Sequence, residues 1–174
     1  MAERSAEGRS DGRLTILIKG VTDEDFVNYK KPSMFIAFPK CTFKCEKDCG
    51  VVCCQNGELA KAENIRTNTE DIAIRYLSNP ITKALVFGGL EPFDSFFDMT
   101  CLISELRFIR RCDDDIVIYT GYTEDEISEE IKYLKYFKNI IVKFGRYVPG
   151  KEGHFDDVIG IELRSPNQYA KKIS

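Results

Sequence analysis

Five of the seven cysteines lie within fourteen consecutive residues, at Cys41, Cys45, Cys49, Cys53 and Cys54. The segment is polar and rich in lysine, so these thiols favour metal or redox chemistry over a role as small core hydrophobes. Zinc knuckles usually use CxxC pairs. This segment instead has CxxxC spacing, and the single histidine, His154, lies about a hundred residues away. Three nearby thiolates with an open fourth position favour an iron–sulfur centre.

Length and composition limit the class of protein. With 174 residues, of which 43% are hydrophobic and 30% charged, we expect one globular domain. The formal charge of -3 predicts neither a nucleic acid nor a membrane surface as a partner.

We expect residues 1–12 to be a flexible tail, residues 13–174 to form the cluster-binding domain, and Cys101 and Cys112 to pack as small hydrophobes. Because the polar N-terminal residues do not resemble a secretory signal, we expect a reducing, cytoplasmic location.

Short apolar runs alternate with helical periodicity along the chain. The runs predicted as strands are residues 14–18, 33–38, 83–87, 115–119, 139–144 and 159–163. Helices are predicted to begin near Thr67, near Asp94 or Ser95, and near Thr123. This alternation indicates βαβ units. The sequence therefore predicts an α/β domain with a mostly parallel sheet that curves toward an open, partial β/α barrel.

Ligands of parallel sheets bind outside the carboxyl ends of the strands. The cysteine segment is expected to be a loop at this edge, together with Gly88 and Gly89, Thr120 and Gly121, and Gly145. Glycine lets the backbone approach a ligand closely, but it is equally common wherever a strand turns into a helix. Its coincidence with the clustered thiols is what favours a binding site here.

Five sequence elements occur in the order found in a known family. They are Cys41-xxx-Cys45, Cys54-Gln55-Asn56, Gly88-Gly89-Leu90-Glu91-Pro92, Tyr119-Thr120-Gly121-Tyr122 and Arg164-Ser165-Pro166-Asn167-Gln168. In these elements the chain resembles the radical S-adenosylmethionine superfamily and, within it, the activating proteins of anaerobic ribonucleotide reductase. The resemblance implies a partial β/α barrel of the radical S-adenosylmethionine type.

The third cysteine of the family's CxxxCxxC motif is one place where this sequence departs from the pattern, because Asp48 occupies the corresponding position. Either Cys49 is the third ligand, one residue later, or Cys54 is, after a longer insertion. We favour Cys54, because the Gln-Asn pair that follows it matches the residues after the family's third cysteine. The implied metal ligands are then Cys41, Cys45 and Cys54, with Cys49 as the alternative third.

The resemblance implies a 4Fe–4S cluster and S-adenosylmethionine as cofactors, with reductive cleavage to a 5′-deoxyadenosyl radical as the reaction. The residues implied to bind S-adenosylmethionine are Gly88, Gly89, Glu91, Gln55 and Thr120, with Lys143 and Arg146 as further candidates at strand ends. From the residues alone, solvent exposure is the simpler expectation for Thr120, Lys143 and Arg146. Glu91 is equally well interpreted as a solvated carboxylate near a helix start.

The substrate implied by the resemblance is a glycine on a partner protein, a glycyl-radical enzyme such as a class III ribonucleotide reductase. A flavodoxin- or ferredoxin-type protein would be the reductant. Two hypotheses from other classes stay open. One is a zinc-binding interaction module that uses four of the clustered cysteines, and the other is an iron–sulfur electron-transfer or redox-sensing protein that does not use S-adenosylmethionine.

Overall fold

The computed structural model describes residues 13–174, so the predicted tail at residues 1–12 lies outside the described residues. The strands are β1 (Thr15–Ile18), β2 (Gly20–Asp25), β3 (Ser33–Phe38), β4 (Ile65–Asn68), β5 (Ala84–Gly89), β6 (Asp115–Tyr119), β7 (Ile140–Phe144), β8 (His154–Asp156), β9 (Ile161–Leu163) and β10 (Tyr169–Lys172). The α-helices are α1 (Lys44–Cys49), α2 (Gly57–Lys61), α3 (Thr69–Leu77), α4 (Phe96–Ser104) and α5 (Ser128–Leu134). Short 3-10 turns at Pro92–Ser95 and Asp125–Ile127 lead into α4 and α5, and a π-helical turn at Glu105–Ile109 follows α4.

Six strands form the central sheet, in the order β10-β7-β6-β5-β3-β2. The four inner strands run parallel, whereas β2 and β10 pair antiparallel at the two edges. The inner strands neighbour one another in chain order, so right-handed crossovers place their helices on the same face. The α/β class and the mostly parallel sheet are confirmed. Within residues 13–174 the sheet does not close into a barrel.

The core lies mainly on the helical face of the sheet. Leu85 and Phe87 of β5 pack in one cluster with Met99 and Leu102 of α4, while Val86 points into a smaller cluster on the opposite face. Because both faces are covered, the inner strands are continuous apolar runs. The second to fifth predicted strands accordingly coincide with β3, β5, β6 and β7 to within two residues.

The outer elements differ more from the predictions. The first predicted strand exists as β1, but it pairs with β4 outside the central sheet, and the last corresponds to β9 of the β8–β9 hairpin. Thr67 lies in β4, and α3 begins at Thr69, where Asn68 Oδ1 accepts a hydrogen bond from the Asp71 N–H at 2.8 Å. The cysteine segment is not a plain loop, because it contains α1 and is followed closely by α2. No helix among residues 13–174 is long and apolar enough to cross a bilayer.

Candidate iron–sulfur and cofactor site

A cavity of about 500 Å³ opens at the carboxyl ends of the four parallel strands, and its volume lies in the range of small-molecule sites. The predicted site residues that line it are Cys41, Cys45, Cys54, Gln55, Gly88, Gly89, Glu91 and Thr120. Cys53 also lines the cavity, whereas Cys49, the alternative third ligand, does not. The fold thus gathers residues of four separate sequence elements, although which cysteines bind metal stays a prediction.

Three of the thiols interact across this cavity. Burial raises the pKa of Cys41 to about 11, against the effect of the Phe43 N–H, which donates to its Sγ at 3.2 Å. Burial also raises the pKa of Cys45, and the guanidinium of Arg146 acts in the opposite direction. A thiolate at Cys54 raises the pKa of both other thiols. The three groups would repel one another as anions, so a cation between them is what would hold them ionised together.

This donor set fits an iron–sulfur cluster in its chemistry, because thiolates are the usual protein ligands of such clusters. Among residues 13–174, the His, Cys, Asp and Glu side chains do not form a group of three or more that could hold a metal ion in their present positions. Cluster binding would therefore draw the three thiols closer together. Cys45 lies on the short helix α1, Cys41 in the chain before α1, and Cys54 in the chain before α2. Neither of these helices includes a buried residue.

Cys49 and Cys53 contact each other instead. Their sulfur atoms lie 3.1 Å apart, and Cys49 Sγ also lies 3.4 Å from the carbonyl oxygen of Val51. The hydrogen bond with Cys49 raises the pKa of Cys53 to about 12. Two of the five clustered cysteines therefore form a pair of their own at the C-terminal end of α1.

Charged side chains tie α1 to the ends of the parallel strands. Arg146, just beyond β7, pairs with Asp48 of α1 at 2.9 Å and with Glu126 at 2.7 Å. The ion pair with Arg146 lowers the pKa of Glu126 to about 2. Lys44 of α1 lies 3.8 Å from the same carboxylate. The side chain of Arg146 is only 14% exposed, so the expectation of solvent exposure is wrong, and its observed contacts hold α1 beside the cavity.

Gly88 and Gly89 end β5 directly against β3. A Cβ on Gly89, whose φ is +83°, would lie 2.7 Å from both Cα and Cβ of Ala37, and one on Gly88 would lie 2.8 Å from Cζ of Phe35. The side-chain amide of Asn56 donates to the Gly89 carbonyl at 2.6 Å, which links the chain after the last clustered cysteine to the same strand end. The two glycines let the strands pack closely and leave bare backbone at the cavity wall.

Glu91 is not a solvated carboxylate, because only 6% of it is exposed. Its Oε1 accepts from the Phe93 N–H at 3.1 Å and its Oε2 from the Gly121 N–H at 2.9 Å. Burial raises the pKa of Glu91 to about 7, and these two backbone donors oppose the rise. Glu91 therefore joins the end of β5 to the loop after β6, and its carboxyl group titrates near neutral pH.

Because the folded chain keeps a proton on Glu91 that the unfolded chain loses near pH 4.5, stability is expected to fall as the pH rises from about 4.5 to about 7. Glu91→Gln should reduce this fall, by about 3 kcal/mol at most, in urea unfolding of the cluster-free chain measured across that range. Glu58→Gln, at a side chain that is 89% exposed, is the matched control and should keep the wild-type slope. An unchanged slope in Glu91→Gln would show that Glu91 is not the group responsible.

Lys143 and Thr120 are also buried, at 7% and 4% exposure, so the expectation that they face solvent is wrong. The ammonium of Lys143 donates to the Gly145 carbonyl at 3.2 Å. Burial lowers the pKa of Lys143 to about 8, while the negative charges of Cys45 and Glu91 raise it. Lys143 therefore remains largely protonated at neutral pH and places a cation in the cavity wall.

The Ser-Pro-Asn-Gln element near the C-terminus contributes to the cavity wall through Gln168. Gln168 Oε1 accepts from the N–H groups of Arg164 and Ser165 at 3.1 and 3.2 Å, and its Nε2 donates to the Gly145 carbonyl at 3.2 Å. The Asn167 side chain donates to the Arg146 carbonyl at 2.8 Å. These contacts fix the turn at Gly145 and Arg146 that follows β7, whose Gly145 carbonyl also accepts from the buried Lys143. The sequence alone did not indicate this structural role.

One protein family, described as 4Fe-4S single cluster domain, has a sequence model that matches residues 32–155. The matched range contains all five clustered cysteines and the four parallel strands. Neither the curated proteins nor the solved structures gave a match to the chain.

Proposed function

Since the chain belongs to the family of 4Fe-4S single cluster domains, we propose that it is a radical S-adenosylmethionine enzyme. In this proposal Cys41, Cys45 and Cys54 bind the cluster, and S-adenosylmethionine is cleaved reductively to a 5′-deoxyadenosyl radical. The observation that carries the proposal is the shared cavity of about 500 Å³, which these thiols line together with the bare backbone of Gly88 and Gly89. A protein that only transfers electrons needs no such space beside its cluster.

When bound, a cluster with three thiolate ligands would supply one iron that a small molecule is free to chelate, and one electron for breaking a sulfonium C–S bond. The task of the chain is to hold S-adenosylmethionine in place and to exclude water. The protonated ammonium of buried Lys143 is complementary to a carboxylate. The bare backbone at Gly88 and Gly89 suits the methionine amino group, and Glu91 fixes the Gly121 loop that completes the wall.

We further propose that the radical is passed to a glycine of a glycyl-radical enzyme, such as a class III ribonucleotide reductase. The electron would come from a flavodoxin- or ferredoxin-type protein in the cytoplasm. The support for this step is the order of the sequence elements from Cys41 to Gln168. The predicted absence of nucleic-acid and membrane partners continues to rest on the charge balance.

The test is anaerobic reconstitution with iron and sulfide, followed by reduction and addition of S-adenosylmethionine. We expect a brown protein, an EPR signal that changes when S-adenosylmethionine is added, and 5′-deoxyadenosine detected by chromatography.

Lys143→Met, which removes the cation but keeps an apolar chain of similar length, should keep the cluster and weaken S-adenosylmethionine binding by about tenfold or more. Glu58→Gln, at an exposed position, should behave as wild type.

The other two hypotheses give different results in the same experiment. A reduced cluster whose EPR signal does not respond to S-adenosylmethionine would refute the radical enzyme and support an electron-transfer or redox-sensing protein. A colourless protein that retains zinc would support the interaction module.

A further inference from the structure

The Cys49–Cys53 pair has no part in the proposed function. Helix α1 ends at Cys49, and Gly50, with φ of +70°, reverses the chain there. Cys53 then returns so that its sulfur lies 3.1 Å from that of Cys49. Val51 and Val52, which form the turn between them, are 55% and 92% exposed. A solvent-facing turn thus presents two thiols side by side.

We propose that Cys49 and Cys53 are a modification site, a dithiol that low-molecular-weight disulfides oxidise to an intramolecular disulfide while Cys41, Cys45 and Cys54 stay reduced. One thiolate of the pair attacks the reagent RSSR, which forms a mixed disulfide and releases one RS⁻. The second thiolate attacks the protein sulfur of that mixed disulfide and releases the other RS⁻. The two cysteines lose two electrons to the reagent, and their two protons convert the leaving groups into two RSH.

Proximity and exposure select this pair over the other thiols. A disulfide has an S–S distance of about 2.05 Å, so the two sulfur atoms need to approach by only about one ångström from their present contact. The exposed turn of three residues between them is free to absorb this movement. The Sγ of Cys41, by contrast, already accepts a hydrogen bond from the Phe43 N–H at 3.2 Å.

The disulfide that competes most closely with a Cys49–Cys53 bond is one between Cys53 and Cys45. Both of these cysteines line the cavity, and a negative charge on Cys45 raises the pKa of Cys53. The structure gives Cys53 a sulfur–sulfur contact with Cys49. Oxidation of that pair would remove both spare thiols as competitors for iron, and would fix the residue that directly precedes Cys54.

The test uses the full chain, cluster-free and reduced, treated anaerobically with oxidised glutathione, then quenched in acid, alkylated and digested with trypsin. Cleavage after Lys47 and Lys61 places Cys49, Cys53 and Cys54 in one peptide, residues 48–61. We expect this peptide to lose two hydrogens and to carry a single alkyl group, which fragment ions assign to Cys54. The peptides of Cys41 and Cys45 should be fully alkylated.

Cys49→Ser and Cys53→Ser should each abolish the internally linked peptide, and Cys101→Ser, outside the segment, should retain it. A linked Cys45–Cys53 pair, a Cys53–Cys54 disulfide, or glutathione adducts without an internal disulfide would each overturn the proposal. The readout is the mass of the cluster-free chain, so it does not depend on whether the protein uses S-adenosylmethionine. The two proposals therefore fail independently.

Discussion

Replacing Cys54 by alanine is expected to abolish the cluster, whereas Cys49→Ala should leave most of it. Cys54 lines the cavity and interacts electrostatically with Cys41 and Cys45, while Cys49 lies outside the cavity against Cys53. Removal of one of three thiolates leaves a cluster with too few protein ligands, so iron content after anaerobic reconstitution should fall by about tenfold or more. Cys41→Ala and Cys45→Ala should show the same loss.

Folding serves as the control for this series. None of the five clustered cysteines is buried in the core, so each alanine variant should unfold in urea within about 0.5 kcal/mol of the wild-type chain before reconstitution. Cys53→Ala is expected to resemble Cys49→Ala, with a modest decrease in iron. Full cluster content in Cys54→Ala together with loss in Cys49→Ala would reverse the assignment and make Cys49 the third ligand.

The inner strands were predictable from the sequence because the pattern that marks each strand is contained in its own residues. Buried parallel strands must be apolar on both faces, so runs such as residues 33–38 and 115–119 mark β3 and β6 to the residue. The edge strand β10 has the sequence YAKK and no apolar run. It forms because its backbone pairs with β7, and its own residues carry little propensity for a strand.

The candidate site was predictable in its location but not in its internal contacts. The order of strands and glycines places the cysteines and Gly88 at one edge, and the structure brings them to one cavity. The burial of Lys143 depends on the turn after β7, which Gln168 fixes from more than twenty residues away. Likewise, the ion pair between Arg146 and Asp48 joins two elements that no periodicity relates. Such contacts are products of the tertiary fold.

Gly89→Ala is expected to destabilise the cluster-free chain by about 3 kcal/mol, the largest effect of any single alanine substitution outside the core. Two causes combine. A φ of +83° is strained for any residue with a Cβ, and that Cβ would lie 2.7 Å from the Cα of Ala37 on the adjacent strand. Because the obstacle is backbone, no side-chain rotation relieves it, so the ends of β5 and β3 must separate. Cluster content should fall too, since only Pro39 and Lys40 separate Cys41, which lines the cavity, from the end of β3.

Two alanine substitutions at glycines without a positive φ serve as comparisons in urea unfolding. Gly20→Ala, whose Cβ would meet nothing within 4 Å, should change the free energy of unfolding by less than about 0.5 kcal/mol. Gly88→Ala should cost an intermediate amount, about 1 kcal/mol, because its Cβ meets the far end of the partly buried Phe35 side chain rather than backbone. If Gly89→Ala were no worse than Gly88→Ala, the positive φ and the contact with Ala37 would not constrain this strand end. Ligand binding rather than strand packing would then explain the two glycines. In that case Gly89→Ala would weaken binding of iron or S-adenosylmethionine without a loss of stability.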